Sequence, residues 1–144
     1  GNEDSLQKSA LVEYYKTVIT QKIKEFNSKD ATLKNIIMDR TSGLITNRYK
    51  VCFYHRSRVE KYKLGNEVKK TILKIDVEVQ KAIKTLVKRE LYERKKKIES
   101  DEVNNVVNFI LNGITTINLL KLNKSPHKSI LNFSNTIINL IKNI

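Results

Sequence analysis

The sequence predicts an all-α protein, about five helices in a bundle organised round a long central antiparallel hairpin. Three observations carry this. Apolar residues recur at intervals of three and four along almost the whole chain. Four glycines and one proline in 144 residues leave little turn chemistry for a β fold. The one segment with strand character is "GITTINLL", residues 113–120. At this length the chain predicts a single helical domain over residues 1–144.

The elements follow in order. Asp4 or Ser5 can cap a first helix whose apolar face is Leu6, Ala10, Leu11, Tyr14, Val18, Ile19, Ile23 and Phe26. Asp30 can cap a second, long helix that carries Leu33, Ile36, Ile37, Arg40, Leu44, Val51, Cys52, His55, Val59 and Tyr62, with Gly43 in "TSG" as its weak point. "LGN" at 64–66 supplies a stop, and Asn66 a new cap. The third helix then buries Val68, Ile72, Ile75, Val79, Ala82, Ile83 and Leu86, with Glu90 at the end of the stripe. The second and third helices are expected to pair as the hairpin about that turn. Ser100 or Asp101 opens a fourth helix with Val103, Val106, Val107, Ile110 and Leu111, ending at Gly113. Ser125 and then Pro126, at the first helical position, open a last one with Ile130, Leu131, Phe133, Ile137, Ile138, Leu140 and Ile141.

Charge is the strongest compositional signal. The chain carries 28 Lys and Arg against 15 Asp and Glu, a formal charge of +13, and residues 44–100 hold 17 of the cations and 7 of the acids. A partner with negative charge is expected: nucleic acid, an anionic membrane or an acidic protein surface. One cysteine and two histidines make neither an internal disulfide nor a familiar zinc site, so no metal and no cofactor is expected in an intracellular protein. No run of 18 apolar residues and no signal-peptide pattern occurs, which predicts a soluble chain without a transmembrane segment. The opening "GNEDS" fits the myristoylation pattern, and equally the residue of a tag.

Function concentrates in "NRYKVCFYHRSRVEK", residues 47–61, where cations and apolar residues alternate densely. Three chemistries compete for it. Arg48 and His55, two helical turns apart, share a face if the helix is continuous, as do the Arg and His of HEPN ribonucleases; a packed, hydrogen-bonded histidine meets the same spacing. Alternatively the basic centre binds nucleic acid directly and largely without sequence specificity, through Lys69, Lys70, Lys81, Lys84, Lys88, Arg89, Arg94, Lys95, Lys96 and Lys97. "KRELYERKKK", 88–97, also reads as a nuclear-import run or simply as the cationic end of a helix. Finally, Tyr54 and Arg58, four apart, can bury a ring while offering a guanidinium to a carboxylate of a neighbouring helix, the pattern of an assembly helix.

The last reading has a family likeness. Asn47, Arg48, Tyr54, His55, Arg56, Arg58, Glu60 and Lys61 resemble the central signature of the GINS replication complex, in particular its first partner-of-Sld-five subunit. "IESDEVNNVVNF", 98–109, is similar to that family's helix with an acidic cap and a terminal aromatic. The resemblance implies a non-enzymatic, nuclear subunit that binds three sister subunits and, through them, the replicative helicase. Of these eight signature residues, Tyr54, Arg56, Arg58 and Lys61 would then hold the domain or its interface together.

Overall fold

The computed structural model describes residues 2–144; the acylation pattern at Gly1 lies outside them. Among the described residues every regular element is helical. The first helix runs as α1 (Asn2–Tyr14), a π turn (Tyr15–Ile19) and α2 (Thr20–Phe26) without leaving the helical backbone. Then follow α3 (Leu33–Ile45), α4 (Phe53–Glu60) with a 3-10 turn over Lys61–Lys63, α5 (Asn66–Glu93), α6 (Ser100–Leu122) and α7 (His127–Lys142). With α1 and α2 taken as one interrupted rod, this is an all-α bundle of six helices rather than five.

The spine is α5, about 42 Å long at 1.5 Å per residue. Its expected stripe is buried from Val68 through Leu86 and on to Leu91, while Glu90 is half-buried. It packs most extensively on α6 and α1. Gln80 Nε2 donates to Asn108 Oδ1 at 3.1 Å, whereas Asp76, one turn earlier, reaches the level of Asn112 and Thr115 through Arg58. The two helices therefore run antiparallel, and the long antiparallel pair is α5 with α6, one connection later than the expected hairpin about residues 64–66. The reason is local: α4 is only eight residues long and leans on α6 more than on α5.

Other boundaries move for identifiable reasons. The second helix is two: α3 passes through "TSG" and ends at Ile45, and the chain reverses at Asn47, whose φ of 61° is the left-handed conformation asparagine tolerates. The reversal lays the Tyr49 ring on Gly43, where a Cβ would stand 2.0 Å from the ring. Gly43 is a packing site, not a helix breaker. Gly113 likewise sits inside α6, facing Ile137 of α7, so α6 continues to Leu122 and "GITTINLL" is helix, its apolar residues shared between neighbours. Lys95 and Lys124, at φ 55° and 57°, end α5 and α6; the N–H of Lys96 bonds Leu91 O and that of Ser125 bonds Leu120 O, the six-to-one closure usually built on glycine.

Capping also departs from the local reading. Thr32 caps α3, accepting the Asn35 N–H at 3.1 Å, where Asp30 was expected. Glu99 and Pro126 precede α6 and α7 as cap residues, so Ser100 starts α6 and Pro126 stands just outside α7. Asp4 does not cap its own helix: it accepts from Glu67 N and Val68 N at 3.2 and 3.3 Å and so caps α5 from a distance, while Asn66 is already helical. Gly65 is needed there because a Cβ would lie 2.3 Å from the Asp4 carboxylate. Of the expected apolar face of the first helix, Leu6 and Ala10 are exposed while Leu11, Ile19 and Phe26 are buried. In α7, Ile130, Ile137, Ile138 and Ile141 enter the core, but Leu131 and Leu140 face out. The buried side chains form one contiguous cluster, and each fully buried Leu or Ile in it contributes about 1.5–3 kcal/mol.

Candidate functional site: the α4 bolt

The segment 47–61 enters the bundle as a loop followed by a short helix, and its side chains divide by face. Tyr54 is completely buried and donates its hydroxyl to Asp76 Oδ1. Arg58 Nε donates to the same oxygen at 2.9 Å, and its Nη1 reaches Thr115 Oγ1 at 2.7 Å; both Nη atoms lie 3.3 Å from Asn112 Oδ1. One carboxylate on α5 thus receives a phenol and a guanidinium from α4, and α6 supplies neutral acceptors for the rest of the fork. Asn118 on α6 accepts the Cys52 N–H at 2.9 Å, satisfying the backbone where α4 begins, and gives its own amide to Ile114 O. Tyr14 donates to Cys52 Sγ at 3.2 Å and meets the Phe53 ring edge-on. Burial and the neighbouring Asp76 charge push the Tyr54 phenol well above its ordinary range, so it remains the donor.

His55 completes the contact. Thr115 Oγ1 already accepts from Arg58, so its hydrogen is free to point at His55 Nδ1, 2.7 Å away. When that hydroxyl donates, Nδ1 is the acceptor and Nε2 carries the proton. Burial, followed by the charges of Lys22, Arg58 and Arg40, holds the imidazole well below its ordinary value of 6.5 and so neutral. Between the lowered folded value and 6.5 the unfolded chain binds more protons than the folded one, so stability rises with pH across that window and is lost as pH falls below 6.5. One such proton is worth at most about 1.4 kcal/mol per pH unit. Glu90 acts oppositely: Oε1 accepts the Leu33 N–H, Oε2 is buried without a partner, and burial raises its carboxyl above the ordinary range. Denaturant unfolding in a Glu90→Gln background should therefore show stability falling from neutral pH towards the lower window, and His55→Asn should flatten that slope. A slope equally steep in both variants would assign it elsewhere.

The remaining signature residues point outward. Arg48 lies in the loop before α4, so it and His55 do not share a helix face; its guanidinium pairs with Asp39 at 3.1 Å and stacks over Tyr49, 4.8 Å from the ring centre. Arg56 pairs with Glu60 of its own helix at 3.6 Å, both largely solvated, and Lys61 is exposed. Asn47 is the left-handed residue that ends α3. Of the basic residues expected to meet nucleic acid, several are already engaged. Arg89 donates to the carbonyls of Ser28 and Ala31. Arg94 and Lys96 reach the main-chain oxygens at the end of α7, where cations offset the helix dipole, and Lys69 is half-buried. Lys70, Lys81 and Lys88 are exposed and Lys84 half-exposed along one face of α5, joined by Lys74, which the sequence reading did not single out; Lys95 and Lys97 are exposed past its end.

Sequence reasoning missed Asp76, Asn112, Thr115 and Asn118. Asp76 carried a signal, since a carboxylate between Ile75 and Val79 on a buried stripe demands a partner. Among the described residues no group of three or more His, Cys, Asp or Glu side chains is placed to hold a metal ion, and no helix is long and apolar enough to cross a membrane. Set against models of protein families, curated proteins and solved structures, the chain matches none.

Proposed function

We propose that the chain is a non-enzymatic subunit of a nuclear DNA-replication assembly resembling GINS, a helical scaffold that binds sister subunits and, through them, the replicative helicase. The observation that carries this reading is the division of residues 53–62 into two faces. The inner face is tied to α5 and α6 of the same chain, whereas Val59, 37% exposed, turns outward beside Arg56, Phe53 is 38% exposed against Tyr14, and Tyr62, 72% exposed, stands beside Lys61 on the 3-10 turn that follows α4. Aromatic and apolar side chains interleaved with arginine are the composition of a partner surface. The signature residues thereby separate into those that hold the domain, Tyr54, His55 and Arg58, and those available to a partner.

The test is recovery of the tagged chain from nuclease-treated extract of its own organism, with co-purifying chains identified by mass spectrometry. Three small helical chains together with helicase subunits are the expected result. Val59→Glu with Tyr62→Glu should release them while leaving the unfolding midpoint unchanged. A second reading, direct nucleic-acid binding, is favoured by the α5 stripe of Lys70, Lys74, Lys81, Lys84 and Lys88, which repeats at helical spacing and faces away from the core. It predicts partners that vanish with the nuclease, and an affinity that falls steeply with salt as counterions are released. That outcome would replace the assembly reading.

A further inference from the structure

A cavity of about 480 Å³ opens beside the α4 bolt, within the range of small-molecule sites. Its floor is buried and mostly apolar, with Leu44, Leu111 and Ile114 around His55. Its mouth is cationic: Lys22, Arg48 and Lys50 stand there, and the one lining carboxylate, Glu25, is bound to Arg40 at 2.5 Å. Lys22 and Lys50 form no ion pair among the described residues. His55 is 7% exposed, and Nε2, the ring nitrogen turned away from Thr115, has no protein hydrogen-bond partner among them and is open to solvent rather than buried without one. A ring N–H in that position can donate to a ligand acceptor in place of water. The wall opposite is the π turn, closed by the Thr20 N–H on Tyr15 O and contributing Thr17, Val18 and Ile19; π turns are held at a cost and gather at binding sites.

We propose that this cavity binds a nucleoside phosphate. The depth order selects the class. A neutral donor among apolar side chains at the floor suits an uncharged ring bearing an acceptor, and the cations at the mouth suit the phosphate. An acidic protein side chain would carry its charge to the floor, where no cation is free to meet it, and an inorganic anion would leave the apolar floor unused. The base accepts from His55 Nε2–H, and the phosphate lies between Lys22 and Lys50, with Arg48, paired to Asp39, beside them. This site is separate from the outer face of α4 and from the α5 lysine stripe, so it stands or falls independently of both readings of function.

The experiment is a titration of the full chain with AMP, GMP, CMP and UMP, followed by NMR at the His55 ring and the Leu111 and Ile114 methyl groups. Saturable binding of at least one nucleotide with shifts at those groups is expected, its nucleoside and inorganic phosphate each binding about tenfold or more weakly. Lys22→Gln with Lys50→Gln, both outside the core, should cost the nucleotide about tenfold and leave the nucleoside unchanged. Because a His55 variant disturbs Thr115 and Arg58, the second variant is Val18→Trp, which fills the cavity from the half-exposed helix and should abolish binding. The proposal is overturned if none of the four saturates, if phosphate alone binds as well, if Val18→Trp binds normally, or if the shifts map to Lys70, Lys81 and Lys88.

Discussion

Asp76→Ala should destabilise the fold by about 3–5 kcal/mol, the loss typical of removing one partner from a buried ion pair. The Arg58 and Asp76 side chains are 16 and 11% exposed, so water replaces the lost carboxylate poorly. Arg58 would keep only the neutral oxygens of Thr115 and Asn112, and Tyr54 would lose its acceptor. Asp76→Asn, which preserves an acceptor but not the charge, should cost less, about 2–3 kcal/mol. Joining Asp76→Ala to Arg58→Met should recover part of the loss, because the double variant no longer strands a cation. The measurement is guanidinium unfolding with the midpoint and slope fitted separately. A midpoint for Asp76→Ala within about 1 kcal/mol of the parent would mean that the pair is solvated and that α4 is held by packing alone.

That pair also marks the limit of what the sequence discloses. The stripe from Val68 to Leu86 was legible because one face of a long helix repeats without interruption, and periodicity is local information. Helix ends were less legible, because this glycine-poor chain stops α3, α5 and α6 on Asn47, Lys95 and Lys124 in the left-handed conformation, while spending Gly43 and Gly113 on close packing inside helices. A reading that takes glycine as punctuation therefore cuts α6 short at Gly113. Partnerships were least legible: the α5 cap comes from Asp4, more than sixty residues away, and the Arg58 partners lie on two other helices. The expectation that Arg58 meets a carboxylate of a neighbouring helix while Tyr54 buries its ring did not foresee that both side chains share Asp76. Only the fold could say that the carboxylate is intramolecular.

Tyr54→Ala should be comparably severe, about 3–5 kcal/mol, but for a different reason. The ring is wholly buried beside the His55 imidazole, 5.0 Å between centres, with α5 and α6 beneath it. Its removal leaves a void that the short, multiply hydrogen-bonded α4 cannot collapse to fill. Tyr54→Phe keeps the ring and deletes only the bond to Asp76, which retains Arg58, so about 1–2 kcal/mol is expected. Comparing the two by denaturant unfolding separates packing from hydrogen bonding at a position where the signature supplies both. Near-equal losses for Phe and Ala would show that the hydroxyl carries the effect and that the ring merely delivers it. A small loss for Phe with a large one for Ala makes α4 an apolar wedge secured by polar contacts. In that case Tyr54→Phe should also keep partner binding intact, since the outward Val59 and Tyr62 would remain where the bundle sets them.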